Sequence, residues 1–423
     1  MVYLSSCEKG LDSLMRNPPV TIEDFQVVPG GLVAPQGFVG GGISAGIKVT
    51  GAKDLGAVLS TASPCTVAGM FTTNRVHGAS VEIDRGRVAN GRARGIVFNS
   101  GCSNVFTGVD GHADATEMAA AFARKHNIPQ EEILVASTGV IGFRLPMPKV
   151  LAGIERLTLD SIDGITIAEA MMTTDAWAKH VAVEVPLTNG PVKIGGSVKG
   201  AGMIHPNMAT MLAFVTTDAA LLPENARALF RAAVNTSFNA ISIDGDQSTS
   251  DTALLFANGA AGFAPIDPGV ADYTTFARAL NAVCQTLAKE LVRNGEGVTK
   301  VMTIDVRGAP DDASARKAAR TVSTSLLVKT AVHGADPNWG RVVMALGNSG
   351  VEFDPTKLDL WIGDTQIVRA GQRMTYDEPE VSAHLRLTEC RIAADLHTGA
   401  GQAVAWSGDL SKEYVEINAA YMT

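Results

Sequence analysis

The sequence predicts an α/β fold, and three observations lead to it. Short apolar runs of strand length, at 95–100, 133–135, 181–185 and 301–306, are separated by segments with helical apolar spacing. The helical segments are 114–125, 225–235 and 276–291. Forty-three glycines beside only 5% aromatic residues point to close backbone approaches of the kind an α/β chain makes. With 423 residues the chain has room for two to three structural units, at roughly 100–200 residues each. Hydrophobic residues at 46% and charged residues at 18% supply a large core and exclude a disordered chain.

Residues 1–30 read as an extension that closes at the turn signal Pro29-Gly30-Gly31. Its first nineteen residues carry charges of both signs and no apolar core, so a secretory signal is not expected and a cytoplasmic enzyme is. Gly40-Gly41-Gly42 precedes a short alternating run through Ile47 and Val49. Segment 95–100 is a compact strand ending in a polar Gly-Cys-Ser-Asn loop. Residues 114–125 place acids early (Asp114, Glu117) and bases late (Arg124, Lys125), which complements a helix dipole. The strand at 133–135 runs straight into Ser137-Thr138-Gly139. Val181, Val183 and Val185 alternate as a half-buried strand and lead to a glycine-rich stretch at 195–202. Segments 225–235 and 276–291 read as core-facing helices, and 301–306 as a strand. The tail alternates polar loops with short strands. Segment 295–300 reads as a hinge between a main domain and a C-terminal one.

Several function classes are excluded early. The net charge of −8 carries no basic stripe, which argues against nucleic acid or an anionic membrane surface as partner. No apolar run approaches the roughly 18–20 residues of a membrane span. Five cysteines are scattered without a CxxC pair and eight histidines without ligand spacing, so a reducing compartment and no metal site are expected. Gly40-Gly41-Gly42 lacks the strand–helix context of a phosphate cradle, and no GxSxG, HExxH or Walker loop is present.

The stretch 199–214 is where chemistry concentrates. A glycine-rich segment meets the turn at Pro206 and enters an apolar strand at Thr210. A hydroxyl there can attack the preceding Ala209 carbonyl, shift the acyl group from N to O, and leave an ester that water cleaves. The product is a new N-terminal threonine, whose α-amine (reference pKa about 7.7–8.0) can serve as base for its own hydroxyl. Read from spacing alone, the same residues also describe an ordinary turn into a strand with Thr210 half buried.

Segment 199–218 resembles the signature of the ornithine acetyltransferase family, the bifunctional glutamate N-acetyltransferase/amino-acid acetyltransferases. The resemblance covers about residue 33 to the C-terminus. It is carried by Ala34-Pro35-Gln36-Gly37-Phe38, Ala45-Gly46-Ile47-Lys48, Ser137-Thr138-Gly139-Val140-Ile141-Gly142 and Met172-Thr173-Thr174-Asp175. Ser242-Ile243-Asp244-Gly245-Asp246, Ser248-Thr249-Ser250-Asp251-Thr252 and Gly295-Glu296-Gly297-Val298-Thr299-Lys300 follow. Asp336-Pro337-Asn338-Trp339-Gly340-Arg341 and the close at Asn418-Ala419-Ala420-Tyr421-Met422-Thr423 complete it.

The resemblance implies a self-cleaving α/β sandwich of sheets covered by helices, with a smaller C-terminal α/β domain. Its segments would be an extension 1–30, a first part of the main domain 31–209, a nucleophile-bearing part 210–300, and a C-terminal domain with substrate-binding tail 301–423. Cleavage between Ala209 and Thr210 would give an α chain 1–209 and a β chain 210–423, associating as (αβ)₂ or larger. Thr210 is the implied nucleophile, and Thr138 and Gly139 the implied oxyanion donors, each typically worth about 3 kcal/mol of barrier. Thr173, Lys199, Thr210, Glu296, Asn418 and Thr423 are the implied substrate contacts. Lys199 suits a carboxylate and Glu296 the side-chain ammonium of ornithine. The implied reaction is ping-pong transfer of acetyl from N²-acetylornithine to glutamate, as in arginine biosynthesis, without a cofactor; acetyl-CoA is a second donor in bifunctional members. Two further classes fit the same residues: an amidohydrolase using the N-terminal threonine, and a non-catalytic relative that only binds.

The chain departs from the family pattern at Gly101-Cys102-Ser103-Asn104-Val105, where a thiol replaces an amide. Cysteine in place of asparagine removes two amide donors and a carbonyl acceptor. If that loop lines the site, a different amino-acid preference follows, as in relatives of specialised metabolism. Nothing in the sequence brings Cys102 and His205 together as a catalytic pair.

Overall fold

The structure is a computed structural model and describes residues 22–205 and 211–420. Ala209, Thr210 and Thr423 lie outside the described residues, as does most of the N-terminal extension.

Two sheets stack face to face between layers of helix. The first has four strands in the order Phe38–Ile43, Leu55–Ser60, Gly95–Cys102 (β1) and Ile133–Val140 (β2), with β1 and β2 parallel. The second has six strands. Gln26–Val27 and Lys179–Val185 lead to Val192–Lys199 (β3), Leu212–Thr217 (β4) and Thr252–Ala257 (β5), and Thr66–Phe71 closes the edge.

Alternation along the strands assigns each face. In β1, Ile96 and Phe98 enter the core between the sheets, while Val97 enters the core under the helices. In β4, Leu212 and Phe214 face the first sheet, and Ala213 and Val215 the opposite helical layer. Phe98 and Phe214 meet across the sandwich with ring centroids 5.5 Å apart. Truncating either fully buried ring to alanine would cost about 3–5 kcal/mol.

Helices Ala79–Arg87 (α1) and Gly108–His126 (α2) cover the first sheet; Pro223–Asn235 (α3) and Ala271–Arg293 (α4) cover the second. The apolar spacing in the sequence is the buried face of each: Leu229, Phe230 and Ala233 in α3, and Phe276, Leu280, Val283 and Leu287 in α4.

A third sheet, of seven strands, has its own core around Met302, Ile304, Leu360 and Ile392. Its central strand Val301–Ala309 (β6) pairs in parallel with Glu389–Asp395 and antiparallel with Gly401–Gly408. Asp312–Thr324 (α5) packs over it, its first turn capped by Asp311 accepting from the Ser314 N–H. Leu326–His333 (α6) follows, and the described chain ends in Lys412–Ala420 (α7). The edge pair Ile241–Ser242 runs parallel to Gly401–Gly408, so part of the main body is woven into the third sheet.

Two glycine-rich stretches differ from the sequence expectation. The strand runs through Gly40-Gly41-Gly42 itself, whereas Ile47 lies in a loop and Val49 is fully exposed. A Cβ at Gly41 would overlap the Thr158 carbonyl oxygen, so missing side chains let neighbouring backbone press onto the strand. Likewise Gly195 and Gly196 sit in the middle of buried β3, not in a flexible segment.

Candidate active site

Three strand ends and two turns converge on one cleft. β3 runs antiparallel to β4 with Lys199 level with Leu212, and β5 runs parallel to β4 with Thr252 level with Leu212. The end of β3 and the starts of β4 and β5 therefore form one edge. The end of β2, in the facing sheet, brings Thr138 to Lys199, whose Nζ donates to Thr138 Oγ1 at 3.3 Å. The cleft measures about 440 Å³, the scale of an amino-acid site, and Met211 is part of its wall.

Thr138, Gly139, Thr173, Lys199, Glu296 and Asn418 all line it. These are the described members of the set expected from the sequence, and they come from segments far apart in the chain. Gly139 has φ +127°, and a Cβ there would overlap the Gly101 carbonyl carbon behind it. The turn after Thr138 is thus built for glycine. Because the Lys199 ammonium occupies a lone pair of the Thr138 hydroxyl, the hydroxyl hydrogen is free to donate elsewhere.

Asp175 fixes two walls together. Its Oδ1 accepts from Lys179 Nζ at 2.5 Å and the Gly200 N–H at 2.7 Å, and its Oδ2 from the Thr173 N–H at 2.8 Å. Burial alone would raise this carboxyl, but Lys179, Lys199 and the Gly200 N–H hold it well below the usual carboxylate range. Burial lowers the Lys199 pKa, against the pull of Asp175 and, more weakly, of Asp251 and Glu296. A substrate carboxylate would supply that buried ammonium with a further partner.

The opposite end of the cleft is acidic. Glu296 follows α4 in a tight turn and donates its N–H to the Ala201 carbonyl at 2.8 Å, next to β3. Its Oε2 accepts from Asn418 Nδ2 at 2.9 Å, so α7 closes this end. Tyr414, one turn earlier on α7, is pushed up to about 12 by burial and by Asp244, Asp246 and Glu296. An ammonium group is the ligand chemistry this end favours.

The loop after β1 does not line the cleft. Cys102 is 6% exposed, and its Sγ donates toward the Phe143 carbonyl at 3.3 Å. It backs the Thr138–Gly139 turn through the β1–β2 pairing instead. Nor does it meet His205, whose Nδ1 faces Ser242 Oγ at 3.2 Å and whose Nε2 accepts from Arg320 at 2.8 Å. Burial and Arg320 hold that imidazole down to about 4, so it stays neutral.

The sequence reading assigned no role to Asp175 or Asp251, although both fall in segments that carry the resemblance. An acid immediately before an all-apolar strand, as Asp251 is before 252–257, was the available signal.

Comparison with known proteins addresses the family directly. The model of the ArgJ family matches residues 40–423, a span that contains the whole described cleft. The chain belongs to the ArgJ family. It is 50% identical over 398 residues to the arginine biosynthesis bifunctional protein ArgJ of Symbiobacterium thermophilum, covering 93% of this chain and 99% of that one. It is 45% identical over 396 residues to the protein of the same name from Dehalococcoides mccartyi, covering 93% and 98%. Among solved structures it is similar to ornithine acetyltransferase complexed with ornithine from Mycobacterium tuberculosis, at 36% identity. That match covers 44% of this chain and 99% of the other, with a TM-score of 0.41. Membership in the ArgJ family makes the resemblance read from the sequence a finding.

Proposed function

We propose that this ArgJ-family chain is a self-cleaving N-terminal-threonine acetyltransferase that moves acetyl from N²-acetylornithine to glutamate in arginine biosynthesis. One observation carries the reading. Thr138, Gly139, Thr173, Lys199, Glu296 and Asn418 share a cleft whose wall includes Met211, the residue bonded to Thr210.

Thr210 attacks the Ala209 carbonyl once, and water releases the β chain with a free threonine amine. In the first half-reaction the Thr210 hydroxyl attacks the acetyl carbonyl. The Thr138 hydroxyl and the turn at Gly139 receive the negative charge that develops. The amine of Thr210 takes the hydroxyl proton and returns it to the departing ornithine nitrogen. Glutamate then takes the acetyl group from the threonine ester. Lys199 holds the α-carboxylate common to both amino acids, and Glu296, with Asn418, holds the side-chain ammonium of ornithine. Acetyl-CoA is a second donor in this reading, no further cofactor is needed, and the two chains associate as (αβ)₂ in the cytoplasm.

Mass spectrometry and donor–acceptor assays test it together. Wild type should give two chains in place of 44.1 kDa, and acetylornithine should be consumed only when glutamate is present. Thr210→Ala should stay intact and inactive. Free acetate formed without glutamate would instead identify an amidohydrolase. An intact wild-type chain would leave only a binding protein.

A further inference from the structure

The cleft contains one buried acid to which the reaction above gives no task. Asp251 is 3% exposed and lines the cleft, yet neither of its carboxyl oxygens completes a hydrogen bond among the described residues. A buried carboxyl normally has partners, and one without them is costly unless it stays neutral or awaits a ligand. Its neighbours are the Met211 backbone N–H, the Thr72 hydroxyl and, as the charged group facing it, Lys199 of β3. Lys199 in turn faces Asp175, Lys179 and Glu296.

The strand register says what arrives there. β4 and β5 are parallel with Thr252 beside Leu212, which sets Asp251 level with Met211. One residue reaches at most about 3.6 Å, so an amine released at residue 210 is tethered within roughly that distance of the Met211 nitrogen. Resting on the self-cleavage reading above, we propose that Asp251 is the positioning residue that holds the amine set free at Thr210. In the uncut chain that nitrogen is an amide and offers no charge. Cleavage turns it into an amine with spare N–H donors, beside a carboxyl that lacks them.

The proton accounting is simple. The ionised Asp251 carboxylate accepts an N–H of the neutral amine and thereby directs its lone pair toward the Thr210 hydroxyl. As Oγ bonds to the acetyl carbon, its proton passes to the amine, and the carboxylate faces the ammonium so formed. The proton leaves on the ornithine nitrogen as the acetyl–nitrogen bond breaks. Asp251 stays ionised throughout and is returned unchanged.

Asp251→Asn and Asp251→Glu test this, with wild type run alongside. The Asn variant should still separate into two chains on a denaturing gel, with KM for acetylornithine within about twofold and kcat reduced about 100-fold. Without the anion the amine binds its proton less tightly, so the acid limb of the kcat profile should move down by about one pH unit. The Glu variant, which keeps the carboxylate, should hold the wild-type limb and recover part of kcat. If wild type is cut and active while the Asn variant shows unchanged kcat and limb, this proposal fails and the acetyl-transfer reading stands. An uncut wild type overturns the self-cleavage reading and this proposal with it. If the Asn variant is not cut, the Glu variant decides: a cut chain with the wild-type limb supports the proposal, and an uncut or displaced one overturns it.

Discussion

Asp175 accepts hydrogen bonds from Lys179, Gly200 and Thr173, and those donors belong to two different walls of the cleft. With the Lys179 and Asp175 side chains both fully buried, the pair is justified by the extra N–H donors around it. Asp175→Asn should therefore act on stability before it acts on chemistry. It leaves the Lys179 ammonium buried without its counter-charge, places amide hydrogens against an N–H that needs an acceptor, and costs about 3–5 kcal/mol. Thermal unfolding should show a drop of many degrees, and surviving enzyme should bind both amino acids less well as Thr173 and Lys199 shift. A melting temperature equal to wild type would show that Asp175 organises nothing.

At the scale of elements, the helices and most strands are legible in the sequence because their apolar spacing is the face they bury, as α4 shows with Phe276, Leu280 and Val283. The glycine strands are not legible that way. Gly40-Gly41-Gly42 has no side-chain pattern to read, since the strand is specified by the Thr158 and Thr166 carbonyls that press on it from elsewhere in the chain. The site divides on the same line. Thr138, Lys199 and Glu296 could be named from motifs, whereas Asp175 and Asp251 acquire meaning only when strand register sets them beside Gly200 and Met211. The loop after β1 has the opposite history: it stood out in sequence, yet it packs behind the Gly139 turn with Cys102 buried against Phe143 and Arg144. Cys102→Asn should thus leave the ranking of kcat/KM over acetylated ornithine, lysine and arginine unchanged, while lowering stability by about 1–3 kcal/mol through overpacking. A reordered ranking would put the loop back in contact with substrate.

Across the whole molecule, the third sheet and the sandwich are joined through a buried lysine. Lys329 of α6 is 2% exposed, and its Nζ donates to the Ile243 carbonyl at 2.7 Å, to Ser407 Oγ at 3.2 Å and to the Gly408 carbonyl. Ile243 precedes Asp244, which lines the cleft, so the contact connects the C-terminal core to the site. Burial pushes Lys329 from its ordinary 10.5 down to about 8, against the opposing pull of Asp409 and Asp244. A lysine with a lowered pKa in the fold binds fewer protons folded than unfolded between those two values. Its burial cost is therefore fully present below pH 8 and is relieved as pH rises toward 10.5. Lys329→Met removes the titration and the three donated bonds. Wild type should be the more stable at neutral pH, because the variant leaves buried acceptors unpaired. Its advantage should widen between about pH 8 and 10.5, by at most about 3 kcal/mol. Thiols and other groups common to both proteins cancel in the difference. Denaturant unfolding of the pair at neutral pH and at about pH 10 measures it. A gap that stays constant or narrows with pH would mean that Lys329 is not charged at this junction in the folded protein.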